Sequence, residues 1–451
     1  RKGRRVTPDI PHVQAGDSIV LTLDPGIQRA TEAALDEAME RTQAQAAHAV
    51  VMDVRTGDLL AVANRPTVNP NDTSSLTGEQ LKNRAVVDSF EPGSVFKPFV
   101  VAAALEEEIL ASDSIVNCEN GAWAIGRKVI HDTHRYDDLT VAEVIKFSSN
   151  IGSAKIAFDL GADHVIGYLK AFGYGRSTGL GLPGEVRGII RSPERIKKIE
   201  LATTSYGHGV TASTVQITAA MATLGNDGVR MQPRLIQEYR DPHGETIRIE
   251  EPEVDRRVVS EQVAREVVEM LAAVTEAGGT GTQAQVEGYR VAGKTGTAWK
   301  HVNGSYSSTD RIGTFSGLVP ADEPRLAITV VVDTPTVGSS YGGVVAGPAF
   351  SQIAQRAVRL LGLPPTEAVE SSTDAEEDGD TPSATPAELV WNLEEELIVP
   401  DLVGLSMREA LVTLQGAGLQ VGLQGTGRVW SQRPEPGVPV VPGDRVEVVL
   451  Q

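Results

Sequence analysis

The spacing of apolar positions divides the chain into strands, helices and the turns between them. Ser18-Ile19-Val20-Leu21-Thr22-Leu23 reads as a strand, and Pro25 then opens a helix rich in Ala and Glu to about Arg41. Residues 47–54 and 59–63 are two β runs joined by Arg55-Thr56-Gly57-Asp58, the pattern of a hairpin whose charged turn residue Arg55 faces solvent. The turn pair Pro92-Gly93 leads into residues 95–105, almost wholly apolar and long enough for a buried helix. Thr140 caps a helix over 141–147, residues 151–160 read as another, and Ser148-Ser149-Asn150 falls at the joint. Loops at Gly173-Tyr174-Gly175 and Leu182-Pro183-Gly184-Glu185 precede helices at 213–224 and 259–274. Residues 288–299 return to strand, 311–318 and 325–333 form a hairpin, and a final helix over 349–361 covers the sheet. The prediction is an α+β fold with a central antiparallel sheet.

Beyond residue 361 the pattern changes. No Lys or Arg occurs between Arg359 and Arg408, and Asp374-Ala375-Glu376-Glu377-Asp378-Gly379-Asp380 is an acidic run too polar to bury. Residues 363–394 are therefore expected to be a disordered linker. A helix over 406–417 and alternating strands after Gln432-Arg433-Pro434-Glu435-Pro436-Gly437 then predict a small separate unit over 395–451. With 451 residues, two or three domains are expected.

The candidate chemistry begins at Ser94, which sits at the start of the 95–105 helix, where unpaired backbone N–H groups and the dipole favour negative charge. Lys97 lies about one turn on, on the same face, among Val95, Phe96, Phe99 and Val100. Burial and the positive helix end both favour its neutral amine, which can take the proton from Ser94. The bland alternative is a serine cap followed by a snorkelling lysine. Ser148-Ser149-Asn150 and, further on, Lys294-Thr295-Gly296-Thr297 shift the balance, because a Ser-x-x-Lys, Ser-x-Asn, Lys-Thr-Gly series in that order is a known catalytic signature. On an extended strand Thr295 and Thr297 face one way and Lys294 and Gly296 the other. Two hydroxyls on one face suit a substrate carboxylate, with the charge of Lys294 close by, and Gly296 lets a substrate approach the backbone.

On these stretches the chain resembles the class B penicillin-binding proteins, most closely the septal D,D-transpeptidases of bacterial cell division. The resemblance runs from about Asp24 to Leu361 and includes Val54-Arg55-Thr56-Gly57-Asp58, Asn69-Pro70-Asn71, Asn83-Arg84-Ala85, Tyr206-Gly207-His208-Gly209 and Gly278-Gly279-Thr280-Gly281. The last fifty-odd residues resemble a PASTA module, a small β-α-β fold. The resemblance implies a penicillin-binding transpeptidase fold over 18–362, with a mostly helical subdomain beside the sheet, and residues 1–17 as the remnant of an N-terminal pedestal. It implies that Ser94 is the nucleophile and Lys97 the base. Ser148 and Asn150 relay the proton and hold the peptide. Lys294, Thr295 and Thr297 grip the terminal carboxylate beside Gly296, and the backbone N–H groups of Ser94 and Thr297 form an oxyanion hole. The partners implied are peptidoglycan stem peptides, β-lactams, a membrane glycosyltransferase and other division proteins. The implied location is the extracytoplasmic (periplasmic) face of the bacterial membrane, with an N-terminal anchor outside this chain.

Composition narrows the alternatives. A formal net charge of −19 argues against nucleic acid as a partner. Cys118 is the only cysteine, so no internal disulfide can form. His131-Asp132-Thr133-His134 offers metal-ligating side chains, but in a loop with no helix to align them, and no metal or other cofactor is expected; the stretch is assigned to the cleft rim. A D,D-carboxypeptidase, a serine β-lactamase and a penicillin-binding sensor or scaffold remain as alternatives. Against the β-lactamase, a class A enzyme needs a deacylating glutamate in a loop between the second and third motifs, and this sequence has no matching stretch there.

Overall fold

A computed structural model describes residues 16–71, 77–302 and 304–367, together with 402, 410, 414, 420–425, 428–434, 438 and 445–450 near the C-terminus. The proposed pedestal remnant, the linker and the helix over 406–417 fall almost wholly outside these residues. The chain divides into two compact units, residues 1–371 and 372–451.

The first unit is built on a five-stranded antiparallel sheet. Helix α1 (Pro25–Thr42) precedes it, opened by Asp24, whose carboxylate accepts from the amides of Gly26 and Ile27. Strands β1 (Ala46–Asp53) and β2 (Leu59–Arg65) form the expected hairpin, and Arg55 at its turn is an exposed partner of Glu323 at 3.0 Å. Strands β3 (Ala292–Val302), β4 (Ser305–Val319) and β5 (Leu326–Asp333) complete the sheet in the order β3-β4-β5-β1-β2. Thus β3 is an edge strand, although nearly 240 residues separate it from β1.

Alternation along β1 splits the core in two. Ala47, Ala49 and Val51 face α1 and the C-terminal helix of the unit, Gly347–Leu360. Val50 and Met52 face the other way, into a larger core that includes helices Thr214–Gly225 and Glu261–Thr275. That core continues into a helical lobe holding α2 (Lys97–Glu106), α3 (Val141–Lys146) and α4 (Asn150–Leu160). Thr140 and Glu143 close a reciprocal capping box at α3, as the sequence suggests. The expected strand at Ser18–Leu21 pairs with Ile236–Arg240, which pairs in turn with Thr246–Ile249; those two partners and the helices Ala162–Ala171 and Lys198–Ser205 were not expected from the apolar pattern. The strand segments are short and polar, and the apolar residues of the two helices gain meaning only against the lobe they complete.

In the second unit the described residues form a three-stranded sheet, Gln420–Gly425, Arg445–Leu450 and Val429–Arg433 in that spatial order, the first pair parallel. A parallel pair requires a crossover, and Val429, Val446 and Val448 on these strands are buried. Among the described residues no helix is long and apolar enough to cross a membrane.

Candidate active site

Pro92 and Gly93 turn the chain into a short 3-10 segment, Gly93–Phe96, that runs directly into α2. Gly93 holds φ +60°, and a Cβ on it would press within 3.3–3.5 Å of the Thr297 backbone. That crowding explains glycine there and brings the Ser94 turn against β3. From the strand side, a Cβ on Gly296 would lie 2.7 Å from the Pro92 carbonyl oxygen. The two segments approach as backbone against backbone, which side chains at either position would prevent.

Helix α2 is buried along residues 97–105, and Lys97 is 0% exposed. Its Nζ lies 3.0 Å from Ser94 Oγ, 3.0 Å from Ser148 Oγ and 2.5 Å from the Ser148 carbonyl oxygen. Burial, reinforced by the nearby Lys294, holds this amine well below the ordinary lysine range, while Asp132 pulls in the opposite direction. A neutral amine has two N–H donors and one lone pair. With the donors directed to the two Ser148 oxygens, the lone pair is free to accept from the Ser94 hydroxyl.

Ser148 bridges α3 and α4 with φ +63°, a left-handed conformation that turns its side chain toward Lys97. The joint is fixed from outside. Asp132 takes the Ser149 hydroxyl at 2.5 Å on one carboxylate oxygen and the amides of Asn150 and Ile151, at 2.5 and 3.0 Å, on the other. It thus satisfies the first-turn donors of α4 from a neighbouring hairpin. The Asn150 side-chain amide donates to the His131 carbonyl at 3.0 Å, which orients its oxygen. Sequence reasoning placed His131 and Asp132 in a loop rimming the cleft. Instead His131 ends the strand Lys128–His131 and Asp132 ties that hairpin to the second motif, whereas Thr133 and His134 do line the cleft. Among the described residues no cluster of His, Cys, Asp or Glu is arranged to hold a metal ion.

On β3, Thr295 and Thr297 line the cleft and Lys294 lies behind them, 0% exposed. Burial lowers the Lys294 amine to about 7. Near neutrality this group is therefore divided between charged and neutral forms. The Thr295 hydroxyl shares a hydrogen bond with Thr280 at 3.0 Å, and Thr297 Oγ1 accepts from the Gly342 amide at 3.0 Å. All eight residues singled out from sequence thus converge on one cleft of about 610 Å³ or lie directly beneath it.

Two further groups were not singled out. Glu91 Oε1 accepts from the Gly209 amide at 2.9 Å and from the Tyr306 hydroxyl at 2.8 Å, tying the turn before Ser94 to the β3–β4 hairpin. His208 lines the cleft against Tyr206, with ring centroids 5.3 Å apart, and burial depresses its imidazole below the usual range. The stretch Tyr206-Gly207-His208-Gly209 was the available signal for it.

Residues 47–355 match the family model of the penicillin-binding protein transpeptidase domain, and residues 397–451 match that of the PASTA domain. The chain belongs to the penicillin-binding protein transpeptidases. It is 39% identical over 354 residues to the probable peptidoglycan D,D-transpeptidase PenA of Neisseria gonorrhoeae, covering 78% of this chain and 59% of that protein. It is 36% identical over 369 residues to the peptidoglycan D,D-transpeptidase FtsI of Escherichia coli, covering 81% and 60%. The chain therefore spans about three fifths of these relatives. Among solved structures, the apo transpeptidase domain of Burkholderia pseudomallei penicillin-binding protein 3 superposes with a TM-score of 0.68 at 35% identity, covering 77% of this chain and 97% of that one. These matches support the penicillin-binding transpeptidase fold as an α+β architecture with an added PASTA domain.

Proposed function

We propose that this chain is the catalytic part of a serine D,D-transpeptidase that cross-links peptidoglycan stem peptides during cell division. The observation that carries the reading is the Lys97 amine, depressed by burial and within 3.0 Å of both Ser94 Oγ and Ser148 Oγ.

In the proposed cycle Ser94 Oγ attacks the carbonyl of the penultimate D-Ala, and its proton passes to the neutral Lys97 amine. The oxyanion forms against the backbone N–H groups of Ser94 and Thr297. When the C–N bond breaks, the departing D-Ala amine takes a proton through Lys97 and Ser148, leaving an acyl ester on Ser94. An acceptor amine then attacks that ester. The new amide keeps the acyl carbon, the C–O bond breaks, and the proton lost by the amine returns to Ser94. Asn150 holds the donor backbone, while Thr295, Thr297 and the charged fraction of Lys294 hold the terminal carboxylate alongside Gly296. No cofactor enters any step. Such a substrate places the site on the extracytoplasmic side of the membrane, and β-lactams that mimic D-Ala-D-Ala are expected to acylate Ser94. The domain limits 18–362 and 395–451, with a linker over 363–394, and the association with a glycosyltransferase and other division proteins belong to the same proposal.

Intact mass spectrometry after incubation with benzylpenicillin tests it. One lasting adduct per chain, absent from Ser94→Ala, is expected; undiminished labelling of Ser94→Ala would overturn the assignment. Continuous destruction of the drug would favour the β-lactamase. A donor thioester with a D-amino acid acceptor should give the exchanged product, which a sensor or scaffold would not form.

A further inference from the structure

The cleft carries an uncompensated charge that the proposed cycle does not use. Among its described lining residues there is no Asp or Glu, and the single arginine is Arg311. This occurs in a chain of net charge −19, where carboxylates are abundant elsewhere. Arg311 and Trp299 are directly opposed in the β3–β4 register, and the guanidinium carbon lies 3.9 Å from the centre of the indole ring. Tyr341 stands on another side at 5.9 Å, and Ser340 Oγ accepts from Nη1 at 3.4 Å. Among the described residues no carboxylate lies within ion-pair distance of Arg311, whereas Arg55, Arg84, Arg230 and Arg290 each have one. A guanidinium stacked on an aromatic ring is oriented without being neutralised, and its N–H edge stays available to a planar anion.

Its place along the strand sets what it can reach. Thr295, Thr297 and Trp299 share one side of β3 by the two-residue period, so Trp299 lies about 7 Å beyond Thr297. A donor whose terminal carboxylate sits at Thr295 and Thr297 and whose scissile carbonyl sits at Ser94 presents its preceding residue to Trp299 and Arg311. We propose that Arg311, held by Trp299, is a second carboxylate subsite that selects acyl donors carrying an acidic side chain on the residue before D-Ala-D-Ala. The inference rests on the transpeptidase reading and adds a specificity determinant to it.

Acylation alone, with no acceptor present, isolates the donor. Two penicillins that differ only by an α-carboxylate on the side chain, carbenicillin and benzylpenicillin, and two thioester donors that differ by Glu against Gln at the preceding residue, are compared by their second-order acylation rates. In the wild type the acidic member of each pair should react about tenfold faster, as expected for one charge-assisted contact, and the advantage should shrink as salt is raised. Arg311→Gln should bring the ratio to about one, Arg311→Lys should retain part of it, and Trp299→Leu should reduce it. Because the readout is a ratio within each variant, a general loss of folded protein cancels. A ratio near one in the wild type, or one unchanged in Arg311→Gln, overturns the subsite. An effect that appears only when acceptor is added also overturns it, since the charge would then serve the acceptor. Failure of both penicillins to label Ser94 would instead remove the underlying transpeptidase reading.

Discussion

The two faces of the central sheet are made from alternate residues of the same strands, yet they bury different things. Against α1 and the helix Gly347–Leu360 the sheet presents Ala47, Ala49 and Val51 from β1, Phe315 and Val319 from β4, and Ile328, Val330 and Val332 from β5. At these positions that face is apolar and closed by the two helices. Toward the catalytic lobe the alternating positions include His48, Thr329, Ser316 and Lys294, all buried. Lys294, Ser316 and Thr329 stand opposite one another on three consecutive strands, and the two hydroxyls hydrogen-bond at 2.8 Å. Both His48 ring nitrogens are buried without a hydrogen-bond partner among the described residues. Burying unpaired polar groups destabilises a fold. One face therefore holds the unit together, and the other gives up stability to keep lysine amines dehydrated beside a nucleophile.

The largest expected departure is on the catalytic side. Lys97→Arg keeps a cation but removes an amine able to lose its proton, so penicillin acylation should fall by about 10²–10⁴-fold. Lys294→Arg keeps charge where charge is wanted and should retain measurable acylation. Stopped-flow acylation of both variants checks this, and an equal loss in the two would mean that Lys97 acts only as a charge.

On the apolar side the expectation is reversed. Phe350 is fully buried against Phe315, with ring centroids 4.7 Å apart. Phe350→Ala should cost about 3–5 kcal/mol of stability in denaturant unfolding, while the acylation rate per folded molecule changes less than about twofold. A strong kinetic effect with little loss of stability would break the division between the faces.

The smallest effect concerns His48, whose imidazole is depressed by burial from 6.5 to about 4. Between those values the unfolded chain binds a proton that the folded chain does not, so stability rises with pH there and is lost on acidification. The difference amounts to about 3 kcal/mol at most. In His48→Val that share of the acid sensitivity should disappear; identical stability profiles from pH 7 to 4 would show that the imidazole is not held neutral.

How much of this was legible in advance follows from the range of the interactions concerned. Lys97 lies three residues from Ser94, so one helical turn suffices to place the pair, and its apolar neighbours already announce its burial. The β1–β2 hairpin is equally local. Asp132 was visible as a chemically rich residue, but a stretch of loop gives no sign that its carboxylate will cap a helix beginning at Asn150. Glu91 and Tyr306, which are 215 residues apart, meet only because β3–β4 folds over the Ser94 turn.

By itself the sequence determined the identity and order of the reactive groups, the helix that carries Ser94 and Lys97, and the alternation that gives each strand two faces. Those features depend on spacings of two to four residues, which the backbone period converts directly into shared faces. Tertiary structure alone decided that β3 forms the edge beside the nucleophile, that Lys294 is dehydrated enough to sit near 7, and that Trp299 lies under Arg311. Each of these depends on strand register or on what covers a side chain. Both are set by the closing of the whole sheet against its helices, a long-range balance of packing and desolvation that no local pattern records.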